Sequence, residues 1–204
     1  MELPDGFVYV TDFVGNVILD IRYCSRNNFV GARVDGYNAP VAILSEEAAK
    51  ALKAAETAFN AMGYIIKIFD AYRPQMAVDH FIRWAKDIND TKMKSKYYPG
   101  LNKSQLFDLG YISAKSAHTR GSCIDLTIVD MSSGEEIDMG SSFDFFGEIS
   151  HHGTSAITEE QANNRNILKD VMAANGFEAF QNEWWHYTLA DEPYADTYFT
   201  FLVN

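Results

Sequence analysis

The chain has 204 residues, with 17 Lys plus Arg against 28 Asp plus Glu, a net charge of −11 with neutral histidines. That balance argues against nucleic acid, whose phosphates call for clustered basic side chains, and against an anionic membrane surface. Hydrophobic residues at 47% and charged residues at 22% give a globular composition, and 14 Phe, 11 Tyr and 3 Trp supply bulk for one sizeable core. No apolar run approaches the ~18 residues of a membrane-spanning helix. The start, Met1-Glu-Leu-Pro-Asp-Gly6, lacks a signal peptide's basic region and apolar stretch, so a cytoplasmic location is expected. Two cysteines, Cys24 and Cys123, are too few for a disulfide framework.

In chain order, β-branched runs predict strands at 8–10 and 17–23, broken at Gly15-Asn16. Ser45 reads as an N-cap, followed by Glu46 and Glu47 in the first helical turn. Ala48, Leu52, Ala55, Phe59 and Met62 mark the apolar face of that helix, and Gly63 its stop. A buried strand is predicted over 64–69. A second helix opens at Pro74, with Val78, Phe81, Ile82, Ala85 and Ile88 on one face. Residues 89–112 give no clear pattern. The run 123–129 is the strongest strand, with Cys123, Asp125 and Thr127 on one face. A long Gly- and Ser-rich loop covers 131–156. Thr158 and Gln161 form a capping-box signature for a third helix, ended by Gly176. Strands are predicted at 177–181 and 184–189. Mixed strands and helices without βαβ alternation predict an α+β fold, one domain over 1–204, with a mostly antiparallel central sheet and flanking helices.

Five histidines narrow the search for chemistry. His80 sits inside a helix, and His151-His152 reads as a solvated loop pair. His118 lies in Ser116-Ala-His-Thr-Arg-Gly-Ser-Cys-Ile-Asp125, and His186 in Glu183-Trp-Trp-His186. Two imidazoles and the Asp125 carboxylate leave a fourth position open on Zn²⁺, as a catalytic zinc site requires. The same residues allow a plainer arrangement: His118 capping a turn, Asp125 paired with an arginine, His186 packed between tryptophans. Glu183 has the character of a base beside such a metal. On a regular strand, however, 183 and 186 face opposite sides. Glu183 must then precede the strand, or the backbone must bend, for which Asn182 is suited. Arg73, in Asp70-Ala-Tyr-Arg-Pro74, sits where a strand gives way to a helix. Its guanidinium suits an oxyanion, or a salt bridge to Asp70.

Taken together, Tyr72-Arg73-Pro74, Ser116 to Asp125 and Glu183 to His186 resemble the VanX-type D-alanyl-D-alanine dipeptidases, within the zinc D,D-peptidases. Leu19-Asp-Ile-Arg-Tyr23, Asn27-Asn-Phe29 and Ser142-Phe-Asp-Phe-Phe146 extend the likeness from about residue 9 to residue 190. The resemblance implies a Hedgehog-like zinc peptidase fold and one Zn²⁺ held by His118, Asp125 and His186. It implies Glu183 as catalytic base, Arg73 as oxyanion partner, and Tyr23, Ser116 and Asp144 around a small dipeptide substrate. Cys123 departs from the small apolar residue usual there; it is expected to pack behind the metal, with soft ligation as the other option. A D,D-carboxypeptidase or endolysin acting on peptidoglycan peptides would use the same zinc site, and Hedgehog-type signalling domains carry a similar one without catalysis. The physiological role stays open between glycopeptide resistance and recovery of D-alanine, as does the oligomeric state.

Overall fold

The computed structural model describes residues 3–204. Its central sheet has five strands in the order β2-β4-β5-β7-β6: β2 (Val17–Leu19), β4 (Tyr64–Asp70), β5 (Cys123–Asp130), β6 (Phe177–Ala179) and β7 (His186–Leu189). Only the β2–β4 pair is parallel; the other three are antiparallel. A separate antiparallel pair joins β1 (Phe7–Tyr9) to β3 (Ile43–Ser45). The fold is α+β, as expected.

Helix α2 (Glu46–Ala61) starts where Ser45 caps it, the Ser45 hydroxyl accepting from the Ala48 N–H. It lies against β4, while α5 (Glu159–Ala174) lies against β6 and against α2. These two helices cover one sheet face, over Ile66, Ile68, Ile124, Leu126 and Ile128, all fully buried. The predicted capping box at Thr158 and Gln161 opens α5. Helix α1 (Val10–Phe13) and helix α4 (Lys94–Tyr97) are single turns.

Several expectations need adjusting. The strand predicted over 17–23 ends at Leu19, and Arg22–Cys24 forms a 3-10 turn that carries Tyr23 into the interior. Helix α3 (Gln75–Lys86) stops before Ile88, which is 67% exposed rather than on the buried face. His152 is buried, not solvated: its backbone N–H donates to the Gln181 carbonyl, and Gln181 Nε2 donates back to the His152 carbonyl. Among the described residues no helix is long and apolar enough to cross a membrane.

One irregularity positions the site. Between Ile68 and Asp70 the register of β4 against β5 shifts by one residue. Ile66 and Ile68 pair with Ile128 and Leu126 on the helix-covered face. Without the bulge Asp70 would follow them there. With it, Asp70 stands opposite Asp125, on the face turned away from those helices.

Candidate metal centre

The face of β5 and β7 turned away from α2 and α5 contributes Asp125, His186 and Thr188 to a cavity of about 420 Å³. Tyr23, Arg73, Ser116, His118, Asp125, Asp144, Glu183 and His186 all line it. Residues from five separate stretches of chain thus meet at one place.

Asp125 and His186 are register partners across β5 and β7. Asp125 Oδ1 lies 3.2 Å from His186 Nδ1 and 3.3 Å from His118 Nε2. The two histidine nitrogens are 3.3 Å apart. His118 comes from the 3-10 turn Ala117–Arg120, which ends on Gly121 in left-handed backbone (φ 86°) and runs directly into β5. A side chain at 121 would also collide with the Phe7 ring, so glycine is required there.

The donor atoms fit a metal ion by three observations. Asp125 Oδ1 is buried and makes no hydrogen bond, although two imidazole nitrogens stand 3.2 and 3.3 Å away. Such an orphaned carboxylate oxygen is costly without a cation. Second, donors ~2.0–2.1 Å from a tetrahedral zinc stand about 3.3–3.4 Å apart, close to the observed triangle. Third, His118 Nδ1 is 2.7 Å from the Ala71 carbonyl, which can only accept. Nδ1 therefore keeps its hydrogen, and Nε2, which faces Asp125, is the nitrogen left to ligate a cation once its own proton is displaced. Burial opposes charge on both partners. Even so, Asp125 raises His118 to about 10, and the two imidazoles hold Asp125 well below the usual carboxylate range.

Glu183 lies in the turn before β7, not on it, which resolves the facing problem posed by its spacing. The His186 N–H donates to the Glu183 carbonyl at 3.3 Å, and this tight turn brings Glu183 Oε2 to 3.5 Å from His186 Nδ1. Burial raises the Glu183 carboxyl to about 7; His186 works against that shift and Asp125 with it.

Arg73 forms the salt bridge to Asp70 and also faces the cavity. Its Nε and Nη2 reach Asp70 Oδ2 at 2.9 and 2.8 Å, and Nη2 stands 3.6 Å from Asp125 Oδ2. Tyr37 completes the support, donating its hydroxyl to Asp70 Oδ1 at 2.6 Å. The sequence alone marks Asp70 only as a partner for Arg73 and gives no sign of Tyr37, which is 33 residues away.

At the other side of the cavity the Tyr23 hydroxyl donates to Asp144 Oδ2 at 2.9 Å. Burial, with Asp125 and Glu183 nearby, raises the Asp144 carboxyl well above its ordinary value. The Glu-Trp-Trp-His segment also secures the loop that bears Asp144: Trp184 Nε1 donates to Ser141 Oγ at 3.0 Å, and the Trp185 ring meets Phe143 edge-on. Ser116 occupies the N-cap position of the His118 turn, where its side chain makes no capping bond. Cys123 is fully buried, with Sγ 3.1 Å from His186 Nε2.

An α+β fold that sets two imidazoles, a buried carboxylate oxygen and a further glutamate around one cavity has the donor set of a candidate metal centre. Comparison with known proteins gives the family. Residues 4–204 match the peptidase M15 family, described as D-Ala-D-Ala dipeptidase, and the chain belongs to it. The chain is 42% identical over 202 residues to a D-alanyl-D-alanine dipeptidase of Enterococcus faecalis, covering 99% of this chain and 100% of that one. It is 40% identical over 199 residues to one of Enterococcus faecium, covering 98% of each. A third, from Streptomyces coelicolor, is 39% identical over 201 residues, covering 98% of this chain and 100% of its own. The protein is an enzyme, a peptidase.

Proposed function

We propose that this enzyme is a zinc-dependent dipeptidase that hydrolyses D-Ala-D-Ala to two D-alanines. The observation that carries the reading is Asp125 Oδ1, buried, without a hydrogen bond, and equidistant within 0.1 Å from two imidazole nitrogens at 3.2 and 3.3 Å. His118, Asp125 and His186 hold the ion. Bound there, zinc supplies Lewis acidity and a water whose pKa falls toward ~7.

The chain's own residues do the rest. Glu183 takes the proton of the attacking water and returns it to the departing amine. Arg73 meets the carbonyl oxygen as negative charge develops on it. Asp70, itself fixed by Tyr37, holds the guanidinium in place before substrate arrives. Asp144 pairs with the substrate ammonium by a charge-assisted hydrogen bond, and the Tyr23 hydroxyl orients that carboxylate. Ser116 and Tyr23 offer hydroxyl or backbone hydrogen bonds to the polar ends of the dipeptide. Phe29, Phe81 and Phe146 wall the cavity, which favours a small occupant over an extended wall peptide. A blocked or longer peptide would leave Asp144 buried and unpaired.

The test is hydrolysis of D-Ala-D-Ala, N-acetyl-D-Ala-D-Ala and D-Ala-D-Ala-D-Ala by zinc-loaded and chelator-stripped enzyme. Turnover of the free dipeptide alone, lost with the metal and restored by zinc, is expected. Preference for the blocked or longer peptide would instead identify a D,D-carboxypeptidase.

A further inference from the structure

His186 has two ring nitrogens with different surroundings. Nδ1 faces Asp125 Oδ1 at 3.2 Å and His118 Nε2 at 3.3 Å. Nε2 faces Cys123 Sγ at 3.1 Å, while the same sulfur is 3.9 Å from Nδ1. The strand register explains this. Asp125 is opposite His186, Cys123 is opposite Thr188, and Cys123 and Asp125 share one face of β5. The imidazole therefore spans the two side chains, its Nδ1 on the carboxylate and its Nε2 on the sulfur. Thr188 Oγ1 donates to the same sulfur at 3.3 Å, which fixes Sγ from the opposite strand.

We propose that Cys123 is a positioning residue for His186: its sulfur accepts the Nε2 hydrogen, which keeps the Nδ1 lone pair directed at the metal donors. A metal-bound histidine commonly donates its second N–H to a carboxylate, a carbonyl or water. Here a buried sulfur takes that place. His118 is fixed in the same manner by the Ala71 carbonyl, so the two imidazoles are oriented by unlike acceptors. The inference rests on the reading of His118, Asp125 and His186 as metal donors. His118, Cys123 and His186 also lie close enough to hold a cation by themselves. The sulfur, however, is nearest the nitrogen that points away from Asp125, so it stands behind the ring rather than beside the ion.

The experiment measures zinc affinity by competition with a chromophoric chelator for wild type, Cys123→Ala and Cys123→Ser, and records the absorption spectrum of the Co²⁺-loaded wild type. Loss of an outer-sphere partner costs about 10- to 100-fold in metal affinity. That loss is expected for Cys123→Ala, with most of it recovered by the serine hydroxyl. The cobalt spectrum, which needs no variant, is expected to lack a thiolate-to-metal charge-transfer band. Unchanged zinc affinity in a folded Cys123→Ala protein would overturn the proposal. So would an intense sulfur-to-cobalt band, which would make Cys123 a ligand. Failure of the wild type to bind one zinc or cobalt per chain would overturn the metal-site reading itself.

Discussion

Asp125 and His186 stand directly opposite one another on β5 and β7, with Oδ1 and Nδ1 3.2 Å apart. A backbone register thus sets the separation of two proposed metal donors, and neither depends on a flexible loop. Asp125→Ala should reduce bound zinc from one per chain to well below stoichiometric, measured by elemental analysis after dialysis against trace metal. Full retention of zinc would remove Asp125 from the donor set.

Glu183 behaves differently in this scheme. Glu183→Gln keeps the shape and leaves the three donors intact, so zinc should remain bound. Turnover of D-Ala-D-Ala should fall by at least ~10² to 10⁴. Near-normal turnover with zinc in place would assign the proton transfer to another group.

For Arg73, held 2.8 Å from Asp70, truncation to alanine should lower kcat by ~10² to 10³ and move KM less. Asp70→Asn should shift kcat in the same direction by a smaller factor. A rise in KM with kcat preserved would make Arg73 a clamp for the substrate carboxylate.

Asp144→Asn removes the charge that meets the ammonium while keeping an acceptor for Tyr23. A hydrogen bond to a charged group contributes about 1.5–3 kcal/mol, so kcat/KM for D-Ala-D-Ala should fall about 10- to 100-fold. Discrimination against the N-acetylated dipeptide should shrink with it. Equal losses on both substrates would rule out ammonium recognition.

Acid stability is expected to depend on His152. Burial, assisted by Lys169 and Arg165, lowers this histidine to about 4, below the ~6.5 of an unfolded chain. The unfolded state therefore binds the proton first as pH falls. The stabilisation is complete above about pH 6.5 and declines as pH drops toward 4. Between pH 7.5 and 4.5 the wild-type Tm should fall further than that of His152→Gln; parallel declines would show that His152 does not titrate in this way.

Much of the site is legible in the sequence because chemistry-bearing residues fall at strand and turn boundaries. Ser116 to Asp125 reads correctly as a Gly turn leading into a strand, since Gly121 and the β-branched run after it are local signals. Glu183 shows what local patterning leaves out: β7 begins two residues later than its hydrophobicity suggests, because Trp184 and Trp185 anchor the Asp144 loop and core rather than extend the strand. Asp70 and Tyr37 depend on a bulge and on a contact across 33 residues, neither of which leaves a periodic trace. His152 reads as a loop histidine because its burial comes from the distant Gln181 backbone and side chain.

Asp144 has φ 61°, the one residue other than glycine with positive φ among those described. Backbone of this kind is strained for most side chains and tolerated best by Asn, Asp and Gly. Its carboxylate is also buried near Asp125 and Glu183. Conformation and charge at this position both weigh against the folded state, so Asn or Gly at 144 should raise the melting temperature while weakening substrate recognition. A laboratory selection for thermal robustness alone would then tend to discard Asp144, and lineages that keep it would do so through selection on turnover.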